Sequence, residues 1–207
     1  MPTPIFEDIA KFGVSRESFD RLLVLEKLLI TWQAHINLVS NSTLPDLWNR
    51  HIIDSLQLLR LIPKNTVSIA DLGSGGGFPG LVLAATQSAE VHFFEANAKK
   101  TAFLQEALRH LKVTGKVHRE RLEPMQAPPQ IPQVQLVTAR AFAPLPMLLG
   151  YAEPFMRDGA IALFHKGQEC QAELTEAAKS WKISYNNHPS ITDSQSVILE
   201  VKEIAHV

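Results

Sequence analysis

The chain has little of what would place it outside the ordinary soluble enzymes. Its 207 residues contain one cysteine, Cys170. One cysteine cannot close an internal disulfide, so a stapled secreted scaffold is excluded and a reducing compartment fits. No apolar run approaches the roughly 18 residues of a membrane span. The opening MPTPIFEDIAKFG lacks the basic-then-apolar order of a signal peptide. Neither sign of charge dominates: 20 Lys and Arg face 21 Asp and Glu. Bulk charge therefore cannot hold a polyanion, and any such attraction has to come from a local basic face. There is no internal repeat and no low-complexity linker. A cytoplasmic protein is expected.

What is present is 45% hydrophobic and 20% charged residues, enough for one packed domain, perhaps with an appendage. The first 64 residues read as helical. Leu22, Leu25, Leu29, Trp32 and Ile36 recur at steps of three and four, with Ser15 placed as N-cap. A second helix is expected from Leu47 to about Leu61, after Pro45. From residue 65 the texture changes to strands alternating with helices. Strands are expected at 67–72, 91–95, 116–119, 135–139 and 160–164, with helices after most of them and a Pro-rich loop at 127–132. This order predicts a doubly wound α/β sheet, mostly parallel. The last two strands, near 181–185 and 196–201, have no helix between them and should form an antiparallel edge hairpin. The expected organisation is a helical extension, 1–64, and a ligand-binding α/β domain, 65–207.

The informative stretch is Asp71-Leu72-Gly73-Ser74-Gly75-Gly76-Gly77-Phe78-Pro79-Gly80, with five glycines in its last eight residues. Glycines between a strand and a helix let the backbone approach a ligand. Two registers compete. From Gly75 the loop reads G-x-G-x-x-G, the dinucleotide fingerprint. From Asp71 it reads D-x-G-x-G-x-G, like the S-adenosylmethionine loop of class I methyltransferases. The first glycine belongs at the strand end, which favours Gly73 and the second register. Glu95, closing the next strand, suits ribose hydroxyls of either cofactor. On spacing alone a nicotinamide-dependent oxidoreductase and a structural glycine turn stay open.

Other residues have a bland reading beside a functional one. Arg50 and Asp54 lie at i,i+4, the spacing of a surface salt bridge. His51 has no second ligand cluster, so no metal site is expected. Arg140 ends an apolar strand and needs a partner if buried. Residues 99–121 carry seven Lys and Arg against Glu106 and Glu120. They form either a solvated helix face or a phosphate-binding surface. Cys170 reads as a buried small hydrophobe.

Four blocks together resemble the bacterial ribosomal RNA small subunit methyltransferase G family. They are Asn37-Leu38-Val39-Ser40 with Arg50-His51-Ile52-Ile53-Asp54-Ser55, the loop Gly73 to Gly80, Ala139-Arg140-Ala141-Phe142-Ala143, and Lys166-Gly167. The chain departs from the family at Gly76, often Pro, and at His165, often Leu. The resemblance implies methyl transfer from S-adenosylmethionine to guanine N7 in the 530 loop of 16S ribosomal RNA. It assigns the cofactor to Asp71, Gly73, Gly75, Gly77, Phe78, Glu95, Leu122, Glu123 and Arg140. It makes Arg140, Lys166, Asn37 and His51 candidates for orienting the substrate, and Lys100 and Arg121 candidates for RNA phosphates. N7 carries a lone pair and no proton, so no general base is assigned. A monomer acting on ribosomal RNA or the small subunit is expected. A non-catalytic RNA-binding module on the same fold is the remaining alternative.

Overall fold

The structure is a computed structural model that describes residues 4–127 and 133–207. All but the first residue of the Pro-rich loop expected at 127–132 lies outside them. After a short α1 (Phe6–Ala10), helix α2 (Arg16–Gln33) starts where Ser15 Oγ accepts the Ser18 N–H, a side-chain cap. Its buried face is Phe19, Leu22, Leu25 and Leu29. Trp32 is half-buried near its end, and Ile36 lies beyond it.

The second helix expected at 47–61 is not one regular helix. A 3-10 turn, Asn41–Asp46, runs into a π-helical stretch, Trp48–Ile53, then three α residues, α3 (Asp54–Leu56), and another 3-10 turn, Gln57–Arg60. Wide turns of this kind re-aim side chains and concentrate at functional sites. Here Trp48, His51 and Ile52 all turn inward. The expected Arg50–Asp54 pair does not form. Asp54 turns to Arg140, 3.1 Å away, and Arg50 to Asp193, at 3.5 Å. A largely desolvated guanidinium left without a counter-charge costs more than an exposed pair returns, so Arg140, 17% exposed, takes the carboxylate.

The sheet contains β1 (Ser68–Leu72), β2 (Glu90–Phe94), β3 (Gly115–His118), β4 (Leu136–Arg140), β5 (Ile161–Lys166), β6 (Trp181–Pro189) and β7 (Val197–His206), in the order β3-β2-β1-β4-β5-β7-β6. The first five strands pair in parallel, and β7 runs antiparallel between β5 and β6. The expected hairpin is therefore present, with β6 at the edge and both strands longer than their apolar runs.

Alternation along the strands divides the core. Ile69, Val91, Phe93 and Leu163 face a layer made by α2, the 41–60 segment, α4 (Gly80–Thr86) and α5 (Ala98–Leu111). Ala70, Leu72, Phe94 and Phe164 face α6 (Leu145–Met156) and α7 (Cys170–Ala177), where Cys170 is buried as expected. The carboxyl ends of β1, β2, β4 and β5 share one edge of the sheet. Because β7 is reversed, the β6–β7 loop returns to that edge, with Lys166 opposite Val197. Register sets Asp71 beside Thr138 and Arg140 beside His165. Among the described residues no helix is long and apolar enough to cross a membrane.

Candidate active site

β1 ends at Leu72 and α4 begins at Gly80, so Gly73 is the first residue past the strand, as the D-x-G-x-G-x-G register requires. Gly73 has φ +63°, and a Cβ there would lie 2.1 Å from the Phe142 ring. The aromatic ring, carried by the loop after β4, packs directly on that glycine. At Gly76 a Cβ would meet the Leu38 carbonyl oxygen at 2.6 Å. Gly76 thus lets the Leu38 backbone lie against the loop.

Glu95 holds the loop from the side. One carboxylate oxygen accepts the Gly75 N–H at 2.9 Å and the other the Asn97 N–H at 2.8 Å. Each oxygen keeps a second lone pair for a hydroxyl. Asp71 holds it from below. Its Oδ1 accepts the Thr138 hydroxyl at 2.8 Å, and its carbonyl accepts the Ser74 hydroxyl at 2.8 Å. Burial pushes the Asp71 carboxyl up to about 6, against the opposing Thr138 hydrogen bond. Asp71 is 1% exposed and lies beneath the loop, outside the cavity lining. Its position makes it a support and not the ligand contact the resemblance implies. Gly77 is likewise absent from the lining and packs on Leu81.

At the other end Arg140 forms a half-buried cluster. Its Nη1 donates to the Arg50 carbonyl at 2.9 Å and to Asp54 at 3.1 Å, and its Nη2 to His51 Nδ1 at 2.6 Å. The guanidinium also lies 5.4 Å from the Phe78 ring centroid, and the His51 ring 5.0 Å from it. Arginine only donates, so His51 Nδ1 accepts and its proton sits on Nε2, shared with the Thr43 hydroxyl at 2.7 Å. Burial first, and Arg140 second, lower the His51 pKa to about 3, which keeps the ring neutral. His165 Nε2 donates to the Asp54 carbonyl at 2.9 Å, and burial lowers its pKa as well. Asp54 is the hub: besides Arg140 it accepts from Gln57 and Thr192, both at 2.7 Å.

A single cavity of about 1060 Å³ joins the two ends, reaching from Gly75, Glu95 and Leu122 to Arg50, Asp54 and Asp193. That is the top of the roughly 300–1,000 Å³ range of small-molecule sites, room for a cofactor and part of a second ligand.

The expected site residues divide accordingly. Gly73, Gly75, Phe78, Glu95, Leu122, Arg140, His51, Lys166, Lys100 and Arg121 line the cavity. Asn37 is exposed and outside it, because the chain turns inward only at Leu38. Glu123 is also outside, its carboxylate 4.0 Å from Arg121 in solvent. Lys166 reaches the cavity with its ammonium already paired to Glu173, which also caps the Leu145 N–H. The basic stretch is not one patch. Arg109 is tied to Glu106 and Lys116 to Glu90, while Lys100 and Arg121 sit at the cavity. Phe142, Tyr151, Thr192 and Asp193 also line it. Of these only Phe142 stood in a block that sequence reading had singled out.

The model of the rRNA small subunit methyltransferase G family matches residues 19–201. The chain belongs to that family. Among curated relatives named ribosomal RNA small subunit methyltransferase G, the protein of Rhodospirillum centenum is 46% identical, across 99% of this chain and 94% of its own length. That of Rhodopseudomonas palustris is 51% identical, across 91% and 81%. Solved structures share the fold at low identity. An S-adenosyl-L-methionine-dependent methyltransferase of Methanococcus maripaludis, described as putative, matches with TM-score 0.59 at 10% identity, over 86% of this chain and 91% of its own. An O-methyltransferase of Bacillus cereus solved with SAH matches at 0.55 and 12%, over 87% and 91%. This family member therefore has the class I methyltransferase fold, and its cofactor is S-adenosylmethionine.

Proposed function

We propose that this member of the family methylates guanine N7 in the 530 loop of 16S ribosomal RNA. The observation that carries the reading is the single cavity with a glycine-loop end and a polar end. A nucleoside cofactor fits the first, and the second leaves room for a base.

The chain's residues fit the cofactor. Gly75 opens toward the cavity: a Cβ there would meet only the Gly73 carbonyl, at 3.7 Å. Glu95 has free lone pairs for ribose hydroxyls, and Leu122 with Phe94 supplies apolar wall for adenine. When bound, S-adenosylmethionine supplies an electrophilic sulfonium methyl, which N7 can take on its in-plane lone pair without first losing a proton. No general base is needed, and the lining agrees with that. His51 is neutral with both nitrogens occupied, and Lys166 is held by Glu173. We assign Arg140, His51 and Lys166 to positioning: they fix the 41–56 segment and the 141–145 loop as walls. Alignment and exclusion of water are then the source of rate.

Lys100 and Arg121 flank the cofactor end and suit the phosphates of the RNA. N7 lies in the major groove, too deep and narrow in A-form RNA for side chains, so the target has to come from an open loop. Residues 1–64 act as a helical wall for the domain 65–207. The working unit is read as a monomer in the cytoplasm, since one chain lines both ends. The test is to map N7-methylguanosine in small-subunit RNA from cells with and without the gene. Loss of one modified guanine, restored by the purified protein with the cofactor, is expected. An unchanged map overturns the reading.

A further inference from the structure

The polar end of the cavity is closed by the β6–β7 loop, 190–196, whose Ser190, Thr192, Asp193 and Ser196 face it. Five carboxylates line the cavity: Asp54, Glu95, Glu120, Glu173 and Asp193. Four are committed. Asp54 is filled by Arg140, Gln57 and Thr192. Glu173 holds Lys166 and the Leu145 N–H. Glu95 accepts the Gly75 and Asn97 N–H groups, and Glu120 is placed at the cofactor end, away from the β6–β7 loop, by its backbone N–H on the Glu95 carbonyl.

Asp193 differs. Its side chain is 32% exposed at the cavity mouth, and among the described residues its only ionic partner is Arg50, itself 45% exposed, at a loose 3.5 Å. Oδ1 accepts one bond, from the Gln195 N–H at 3.0 Å, and Oδ2 accepts the Ser196 hydroxyl at 3.1 Å. The Gln195 and Ser196 donors, with Arg50, hold the carboxyl below its usual range, so it is ionised and accepts only.

Guanine bound for N7 methylation poses a particular problem. Arginine commonly grips guanine through O6 and N7 together, but here N7 has to stay open to the methyl donor. The remaining polar edge offers two adjacent donors, N1–H and the N2 amino group, which an ionised carboxylate matches with its two oxygens. We infer that Asp193 is the specificity-determining carboxylate that takes the N1–H and N2 amino edge of the target guanine, displacing the long Arg50 contact and freeing Arg50 for O6. Adenine presents no donor at N1 and none at C2, so it is refused. The inference rests on the guanine-methylating reading above.

The experiment separates the two. Small-subunit RNA is prepared by splinted ligation with guanosine or inosine, which lacks the N2 amino group, at the modified position. It is assembled into subunits where the naked RNA is not accepted. Transfer of labelled methyl is measured for the native protein, Asp193→Ala, and Asp193→Ser, which keeps a short acceptor for the Gln195 N–H. S-adenosylhomocysteine affinity is measured alongside and should be unchanged in both variants. For the native protein, kcat/KM on inosine should fall about tenfold or more relative to guanosine. In both variants guanosine should lose its advantage, leaving the two RNAs within about twofold. An equal inosine penalty in native protein and variants overturns the role of Asp193. No transfer to guanosine by the native protein overturns the underlying reading and the inference with it.

Discussion

The two ends of the cavity are built by different means. The cofactor end is mostly backbone: a glycine turn, one carboxylate three residues before α5 begins, and apolar wall, all from within residues 71–122. The polar end is made of side chains whose positions are far apart in the chain, with Arg140 bonding Arg50, His51 and Asp54, and Asp193 reaching Arg50. A backbone site tolerates side-chain change around it as long as the turn persists. A network of buried side chains fails as a unit, because losing one partner leaves another charge or acceptor without compensation.

The largest expected effect tests that contrast directly. Arg140→Ala should destabilise the fold by about 3 kcal/mol, since half-buried Asp54 and the buried His51 acceptor lose their donor. Arg140→Lys should not restore it, because one ammonium cannot reach the three acceptors of the planar fork. Urea denaturation of the three proteins measures this. If Arg140→Ala retained native stability, the polar end would be a set of independent contacts and the comparison would break.

Glu95→Ala should leave urea stability nearly native while weakening S-adenosylhomocysteine binding by roughly 1.5–3 kcal/mol. Titration calorimetry reads the second quantity. A loss under about half a kcal/mol would move the ribose contact to another acid.

His51 sharpens the contrast through pH. Its folded pKa, about 3, lies below the ordinary 6.5. The unfolded chain therefore takes a proton that the folded protein refuses. Stability from neutral His51 is complete above about pH 6.5 and is lost as pH falls toward 3. Asp71 opposes this, because its raised pKa of about 6 gives stability that is lost as pH rises through that value. The two are separable by substitution. Between pH 7 and pH 5, His51→Gln should keep about 2 kcal/mol that the native protein loses through this residue. Denaturation at both pH values checks it, and parallel losses in the two proteins would remove His51 from the account.

The smallest effect concerns the rim. Lys100 and Arg121 contribute charge at the cavity rim, Arg121 with only the loose, solvent-exposed Glu123 contact at 4.0 Å among the described residues. Replacing both with Ala should flatten the salt dependence of RNA binding by one to two contacts, at about 0.7 log units each on single strands. Cofactor affinity should barely change. An unchanged salt slope would mean that they face solvent and that RNA is captured elsewhere.

How much of this was legible differs along the same line. The strand-loop-helix order, the register starting at Asp71 and the place of Glu95 at the end of the second strand follow from local spacing, whereas its hold on the Gly75 N–H does not. The regular helix expected at 47–61 fails because its apolar pattern fits a helix of any pitch, while the demand for His51 and Asp54 to meet Arg140 comes from another strand. Asn37 and Glu123 stand next to lining residues in the chain and still point outward, since adjacent positions turn to different sides. Asp71 looks like a ligand contact by motif and is a buried support. Asp193 carries no local signal at all, being one acid in a polar loop.

By itself the sequence determined where the chain turns, which faces are apolar and where a ligand can touch the backbone, because those depend on glycine freedom and on periods of two and 3.6 residues. Tertiary structure alone decided which charges are partnered and which stay available. Reversal of β7 returns the 190–196 loop to the sheet edge of the glycine turn. Strand register sets Arg140 beside His165. Pairing depends on distances across the sheet, which no spacing along the chain encodes.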